Sequence, residues 1–208
     1  MSQRVVVDRY DRLQVDDQIV RIHQEDLCQA LGVLASHKYQ NGGGPGPVQI
    51  VDLLRNAMPA KAADDAVWRF IDALAWNWLI ADTDADAKNY SLLLASNQVR
   101  LAPLYDIASA LPYGIHEKKL RLAMKLGGHD DVFTYRNPWP KAARELAVDA
   151  ETLIDHVRGL AARATDAIAA AAAAPDVSDL KRDLASRLVD LVFERVARCA
   201  ALLDSVNG

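Results

Sequence analysis

The stretch TDADAKNYSLLLASNQVRLAPLYD, residues 83–106, decides how this chain is read. It sets Asp84 and Asn89 five positions apart in a polar run that reads as a loop. Two short apolar runs follow, SLLL at 91–94 and VRLA at 99–102, joined by a polar turn from Ala95 to Gln98. Such runs across a polar turn predict a β-hairpin. Asp106 comes soon after it. A hairpin brings the chain back to where it left, so Asp106 is expected to meet Asn89.

The spacing suits phosphoryl transfer. That reaction needs one carboxylate near the acceptor hydroxyl and Mg²⁺ to neutralise the nucleotide phosphates. Mg²⁺ keeps waters and phosphate oxygens and takes only one or two protein oxygens. Asp, four residues, Asn is the spacing of base and metal-binding Asn in a protein-kinase catalytic loop. Lys88 adds a cation that can sit near a transferred phosphoryl group. Taken alone, the same pattern also describes a solvated turn. Calcium binding by the alternating Asp82, Asp84 and Asp86 fails on detail. The sixth position is Ala87, where Gly is needed, and the twelfth is Leu93, where Glu is needed.

The flanking sequence predicts a mainly helical (α+β) chain with a short β element at this loop. Val5–Tyr10 reads as a short strand, and residues 24–34 as a helix with Leu27, Ala30, Leu31 and Leu34 on one face. Pro47 suits the first turn of a helix to about Met58. Residues 64–80 form the strongest helical pattern, with Val67, Phe70, Ile71, Leu74 and Trp78 at core spacing and Trp68 and Trp76 beside them. This helix runs straight into the loop. Residues 111–131, punctuated by Pro112, Gly114, Gly127 and Gly128, read as irregular. Their Lys118, Lys119, Arg121, Lys125, His116 and His129 form either a solvated basic loop or a face for an acidic substrate. Helices resume at Trp139, with long patterns over 150–173 and 176–204 that break at Pro175 and predict an antiparallel pair. Asp176 or Ser178 is the expected N-cap of the second. His23, His37 and His156 show no partner pattern.

Composition narrows the class. A chain of 208 residues with net charge −4 is expected to form one large domain and not to bind nucleic acid directly. No apolar run approaches a membrane span, and Val5–Val7 is too short for a signal peptide. Cys28 and Cys199 lack metal-ligand spacing and read as reduced thiols of a cytoplasmic protein.

Several blocks together resemble the HipA-type serine/threonine kinases of bacterial toxin–antitoxin systems. They are VVVDRYDR (5–12), RIHQEDLCQALG (21–32), KYQNGGGPG (38–46), WNWLIADTDADAKNYSLLL (76–94) with VRLAPLYDIASALP (99–112), and LRLAMKLGG (120–128). The resemblance implies a protein-kinase-like C-terminal lobe over residues 1–208. Residues 1–12 would be a hinge-like strand, 13–135 the catalytic core and 136–208 the C-terminal helices. It implies ATP and Mg²⁺ as cofactors. Asp84 would be the base, Lys88 the lysine before the metal-binding Asn, and Asn89 and Asp106 the metal ligands. Main-chain groups at Val7, Asp8, Arg9 and Tyr10 would line the adenine pocket, and Gln24–Asp26 would start a helix behind the site. Family substrates are proteins, the aminoacyl-tRNA synthetases, and the partner is a HipB-like DNA-binding antitoxin.

Two departures stand out. The family carries His two residues after the catalytic Asp, where this chain has Asp86. A second carboxylate there repels phosphate, so that it faces solvent, recruits a cation or impairs the site. A kinase also needs a Gly-rich loop and a strand lysine before the hinge, and none precedes Val5. The cluster Gly42–Gly46 lies after the hinge, lacks a following Gly-Lys-Ser/Thr, and reads as a connecting loop. The expectation is a C-lobe without its N-lobe, whether cut at the hinge, paired with a separate N-lobe subunit, or truncated. Two function classes follow: a kinase lobe, or a non-catalytic binding module that holds an antitoxin or an N-lobe.

Overall fold

The computed structural model describes residues 8–95, 97–178 and 182–205. Of the predicted Val5–Tyr10 strand, Val5–Val7 lie outside the described residues, and Asp8–Tyr10 form no strand. Pairing begins at Arg12. Strands β1 (Arg12–Val15) and β2 (Gln18–Arg21) form an antiparallel hairpin turned at Asp16, whose φ of 52° is left-handed. Asp is among the few side chains that adopt this region routinely.

The predicted 24–34 helix is corrected. Gln24–Asp26 belongs to a strand, β3 (His23–Asp26), and only Leu27–Ala30 turns as α1. The reason is non-local. β3 pairs antiparallel with β4 (Ser91–Ala95), Asp26 facing Ser91, and β4 pairs with β5 (Gln98–Leu101). Ladder hydrogen bonds to a distant strand outweigh a weak helical period. Asp26 ends the strand by capping α1, its Oδ1 accepting from Gln29 N at 2.9 Å. Asn97 supplies the left-handed residue (φ 60°) of the predicted β4–β5 turn.

Helix α2 (Pro47–Ala57) starts on Pro47 as expected, and α3 (Ala60–Ile80) is the predicted helix extended by one turn. Val67, Phe70, Ile71, Leu74 and Trp78 of α3 are buried, together with Ile50 and Leu54 of α2. Trp68 and Trp76 are half-buried at the core's edge. Each fully buried large apolar side chain contributes roughly 1.5–3 kcal/mol. Tyr90 meets Phe70 edge-on, ring centroids 5.2 Å apart, which ties the loop after α3 to the helix.

The region 111–131 is more ordered than its glycines suggest. Strands β6 (Arg121–Leu126) and β7 (His129–Asp131) form a third antiparallel pair. Gly127 and Gly128 make its turn at φ 54° and 82°, and a Cβ on Gly127 would sit 2.5 Å from Pro138 O. The glycines therefore turn a hairpin where they were read as breaking structure.

Helices α4 (Trp139–Glu145) and α5 (Ala150–Ala172) follow, then one turn, α6 (Pro175–Ser178), and α7 (Arg182–Asp204). Asp176 and Ser178 lie inside α6, and Leu180 lies outside the described residues, as does the start that would show an N-cap for α7. Arg158 of α5 reaches the far end of α7, with Nε 3.0 Å from Asp204 Oδ1, so the pair is antiparallel. Val192, Val196 and Cys199 face the core, whereas Leu184 is exposed. Trp78 packs edge-on against Trp139 with centroids 5.7 Å apart. Both cysteines are free and buried, and burial pushes the Cys199 thiol up to about 11. Among the described residues no helix is long and apolar enough to cross a membrane.

Candidate active site

The end of α3 aims the loop. Ala81 adopts a left-handed conformation (φ 56°, ψ 48°), and Asp82 N donates back to Asn77 O at 2.8 Å. That closes a Schellman-type cap without its usual glycine. The α3 carbonyls at this end are further satisfied by Ser109 Oγ on Ile80 O (2.6 Å) and by the buried Arg195 Nη2 on Trp78 O (3.1 Å). A cation suits the negative end of a helix. Arg195 also stacks on Phe133, 4.9 Å from the ring centroid.

Asp82 is buried, and its carboxylate joins two segments. Oδ1 accepts from Asp84 N at 3.0 Å and Oδ2 from Ala108 N at 3.1 Å. Burial raises its pKa above the ordinary value, against the pull of these two N–H donors. The sequence reading weighed Asp82 only as a calcium ligand and missed this bracing role. Its place two residues before Asp84 was the available signal.

Asp84 points outward, with 66% of its side chain exposed. Tyr39 donates its phenol proton to Asp84 Oδ1, and Lys38 Nζ stands 3.8 Å from the same oxygen. Tyr39's pKa is raised, first by the hydrogen bond to Asp84. Asp86 is turned inward and is 0% exposed. Its Oδ1 caps the following turn by accepting from Lys88 N at 2.8 Å, and its Oδ2 pairs with Lys38 Nζ at 2.8 Å. Asp86 thus does not face solvent and is paired with a cation. Lys38 is held protonated above the usual lysine range, chiefly by the hydrogen bond to Asp86.

Lys88 is paired elsewhere, its Nζ donating to Asp26 Oδ2 at 3.1 Å. Asn89 and Asp106 do meet, with Nδ2 donating to Oδ2 at 3.2 Å. Asn89 Oδ1 accepts from Asp86 N at 3.2 Å, and Asp106 sits at a left-handed φ of 55°. Tyr105, just before Asp106, hydrogen-bonds Lys88 O and Ser91 Oγ, and burial pushes its phenol up to about 12. Tyr10 stacks on Tyr105 with centroids 6.0 Å apart, which brings the hinge residues against the Asp106 segment. Arg9 is bound to Asp11 through two 2.7 Å hydrogen bonds, Asp8 is exposed, and Val7 lies outside the described residues. Arg9 foremost, with Arg12, holds the Asp11 carboxyl well below the usual range, and Arg21 lies 4.0 Å from it.

The glycine block is a bracket for Lys38 and Tyr39. Gly42 N and Gly44 N both donate to Tyr39 O, at 2.9 and 3.0 Å. A Cβ on Gly44 would lie 2.0 Å from His37 O, so only glycine fits. Gln40 Oε1 accepts from Lys125 N at 2.6 Å, and Asn41 Nδ2 reaches Asp130, which fastens the block to the β6–β7 hairpin. The sequence displayed Lys38 and Tyr39 as part of a motif, but gave no sign of which carboxylates they meet.

The donor set suits Mg²⁺ of the shared kind. Asn89 and Asp106, from two segments, each carry a hard oxygen of the kind Mg²⁺ takes, with Asn89 here turning Nδ2 to Asp106 and Oδ1 to Asp86 N. Among the described residues no group of three or more His, Cys, Asp or Glu is placed to hold a metal.

Comparison with known proteins identifies the family and the fold. A family model described as the HipA-like C-terminal domain matches residues 1–170. The chain is 34% identical over 183 residues to the Y4mE protein of Sinorhizobium fredii, covering 87% of this chain and 42% of that protein. It is 28% identical to the serine/threonine-protein kinase toxin HipA of Shewanella oneidensis, covering 97% of this chain and 48% of that one. The Shewanella oneidensis HipA structure, solved with HipB and operator DNA, superposes with a TM-score of 0.78 at 25% identity, over 94% of this chain and 48% of the other. The chain thus spans about half the length of the curated relatives it matches. With the family model covering most of its length, the chain belongs to the HipA-like C-terminal domain family.

Proposed function

We propose that this chain is the C-terminal lobe of an ATP-dependent serine/threonine protein kinase of the toxin type. Asp84 would orient the acceptor hydroxyl and take its proton, standing on a loop whose backbone Asp82 braces. Asn89 and Asp106 would hold Mg²⁺, which when bound bridges and neutralises the nucleotide phosphates. Main-chain groups at residues 7–10 would line the adenine pocket, beside Tyr105. The Gly-rich loop and strand lysine that cover the phosphates are not found in these 208 residues and would come from an N-terminal lobe, joined or separate. The acceptor would be a hydroxyl of a protein, with aminoacyl-tRNA synthetases the substrates the family suggests. A HipB-like antitoxin is the partner suggested by the Shewanella complex.

The observation that carries this reading is the 3.2 Å approach of Asn89 to Asp106, with Asp84 on the same loop. Calorimetry with Mg·ATP on the chain and on Asp106→Asn tests it. Binding that the variant loses supports the metal role. Equal binding by both removes Asp106 from the metal site. No binding by either means that the lobe alone is not a nucleotide site, which leaves a required N-terminal lobe or a module that holds a partner without catalysis.

A further inference from the structure

The lysine that the sequence places beside the reacting phosphoryl is not the one the geometry brings there. Lys88 is committed to Asp26 on β3. Lys38, from the glycine block, is the cation the structure sets against the loop carboxylates, 2.8 Å from Asp86 and 3.8 Å from Asp84. We propose that Lys38, held by the buried Asp86, is the catalytic cation that meets the transferred phosphoryl group beside Asp84. This rests on the phosphoryl-transfer reading above and adds a residue to it.

Three observations carry the assignment. First, charge. Asp84 and Asp86 alone would present two negative groups to an incoming triphosphate, and Lys38 offsets one of them. Second, reach. An ammonium has three N–H donors, and the 2.8 Å contact with Asp86 is an ion pair that does not occupy all three. Its side chain is 31% exposed, so a ligand in the cleft can contact the remaining donors. Third, fixation. Lys38 O lies 3.5 Å from Ala87 N of the loop, and the next residue is pinned by Gly42 N and Gly44 N. A point charge fixed in advance where negative charge gathers in the transition state is the arrangement that lowers a phosphoryl-transfer barrier. Asp86 is then a positioning residue that acts through Lys38. The carboxylate in place of the family's imidazole gives this chain a built-in counterion for that lysine.

The test separates the γ-phosphate from the rest of the nucleotide. Mg·ATP and Mg·ADP are titrated by calorimetry into the full chain and into Lys38→Met, Lys38→Arg and Lys88→Met. Lys38→Met is expected to weaken Mg·ATP by about tenfold, the scale of one charge-assisted hydrogen bond, and to leave Mg·ADP unchanged. Lys38→Arg should keep most of the ATP affinity, and Lys88→Met should change neither nucleotide. In the unmutated chain, Mg·ATP but not Mg·ADP should shift the Lys38 side-chain NMR resonance and leave that of Lys88 in place, a readout that requires no variant to fold. Equal loss of ATP and ADP in Lys38→Met, no loss at all, or an ATP-selective loss in Lys88→Met overturns the assignment while leaving the kinase reading standing. Failure of the unmutated chain to bind either nucleotide overturns the assignment in this chain, and with it the reading that this lobe alone holds Mg·ATP.

Discussion

In the loop from Asp82 to Asn89 the buried polar side chains are carboxylates, Asp82 and Asp86. In α5 the buried side chains are Leu153, Val157, Ala161 and Ala164. The two regions lie on the same core but are held by different forces. Apolar burial has no direction and responds to volume. The loop is directional, because each carboxylate oxygen of Asp82 has one particular N–H to accept. The loop should therefore be sensitive to changes of charge at constant shape, and the helix to changes of shape at constant polarity.

The largest expected effect sharpens the helical side. Leu153 is fully buried, so Leu153→Ala should cost about 2–5 kcal/mol in urea denaturation, while Leu153→Met should cost less than about 1.5 kcal/mol. Equal costs would show that volume is not what holds α5.

Next comes Asp86→Asn, which preserves shape and removes charge. It leaves Lys38 without its buried counterion and should cost about 1–3 kcal/mol. Stability unchanged by this substitution would erase the contrast between the two regions.

A smaller effect is read in alkali. Lys38's folded pKa is raised above its ordinary 10.5, so its stabilisation is complete below about pH 10.5 and fades as pH climbs through the raised value. The unmutated chain should lose stability above that point more steeply than Lys38→Met does. Parallel curves from pH 9 upward, as an order-of-magnitude window, would show the pair contributes nothing.

The smallest effect belongs to the exposed basic pair. Lys118→Glu with Lys119→Glu should move stability by no more than about 0.5 kcal/mol, as surface changes do. If these residues face an acidic substrate, phosphorylation of that substrate falls. Unchanged turnover would return them to the solvated surface.

What the sequence made legible follows from range. Helix α3 was readable because its core stripe repeats within one segment, and α2 because Pro47 marks its first turn. The Asn89–Asp106 meeting was readable because a short hairpin separates the two. The β3 strand was missed because its partner, β4, is remote in sequence. The β6–β7 hairpin was missed because its glycines carry no sign of which side of a turn they serve. The exchange of lysines was hidden for the same reason. Lys88 adjoins Asn89 in sequence, yet it pairs with Asp26, while Lys38 arrives from a separate loop to meet Asp86.

Asp82 links the loop that bears Asp84 to the segment just beyond Asp106, one oxygen to each. Mechanically, this is a tie bar. A regulator that tried to swing the Asp106 segment outward would first have to free Ala108 N from a buried carboxylate, or drag the Asp84 loop along with it. Asp84 and Asp106 therefore shift together as one plate.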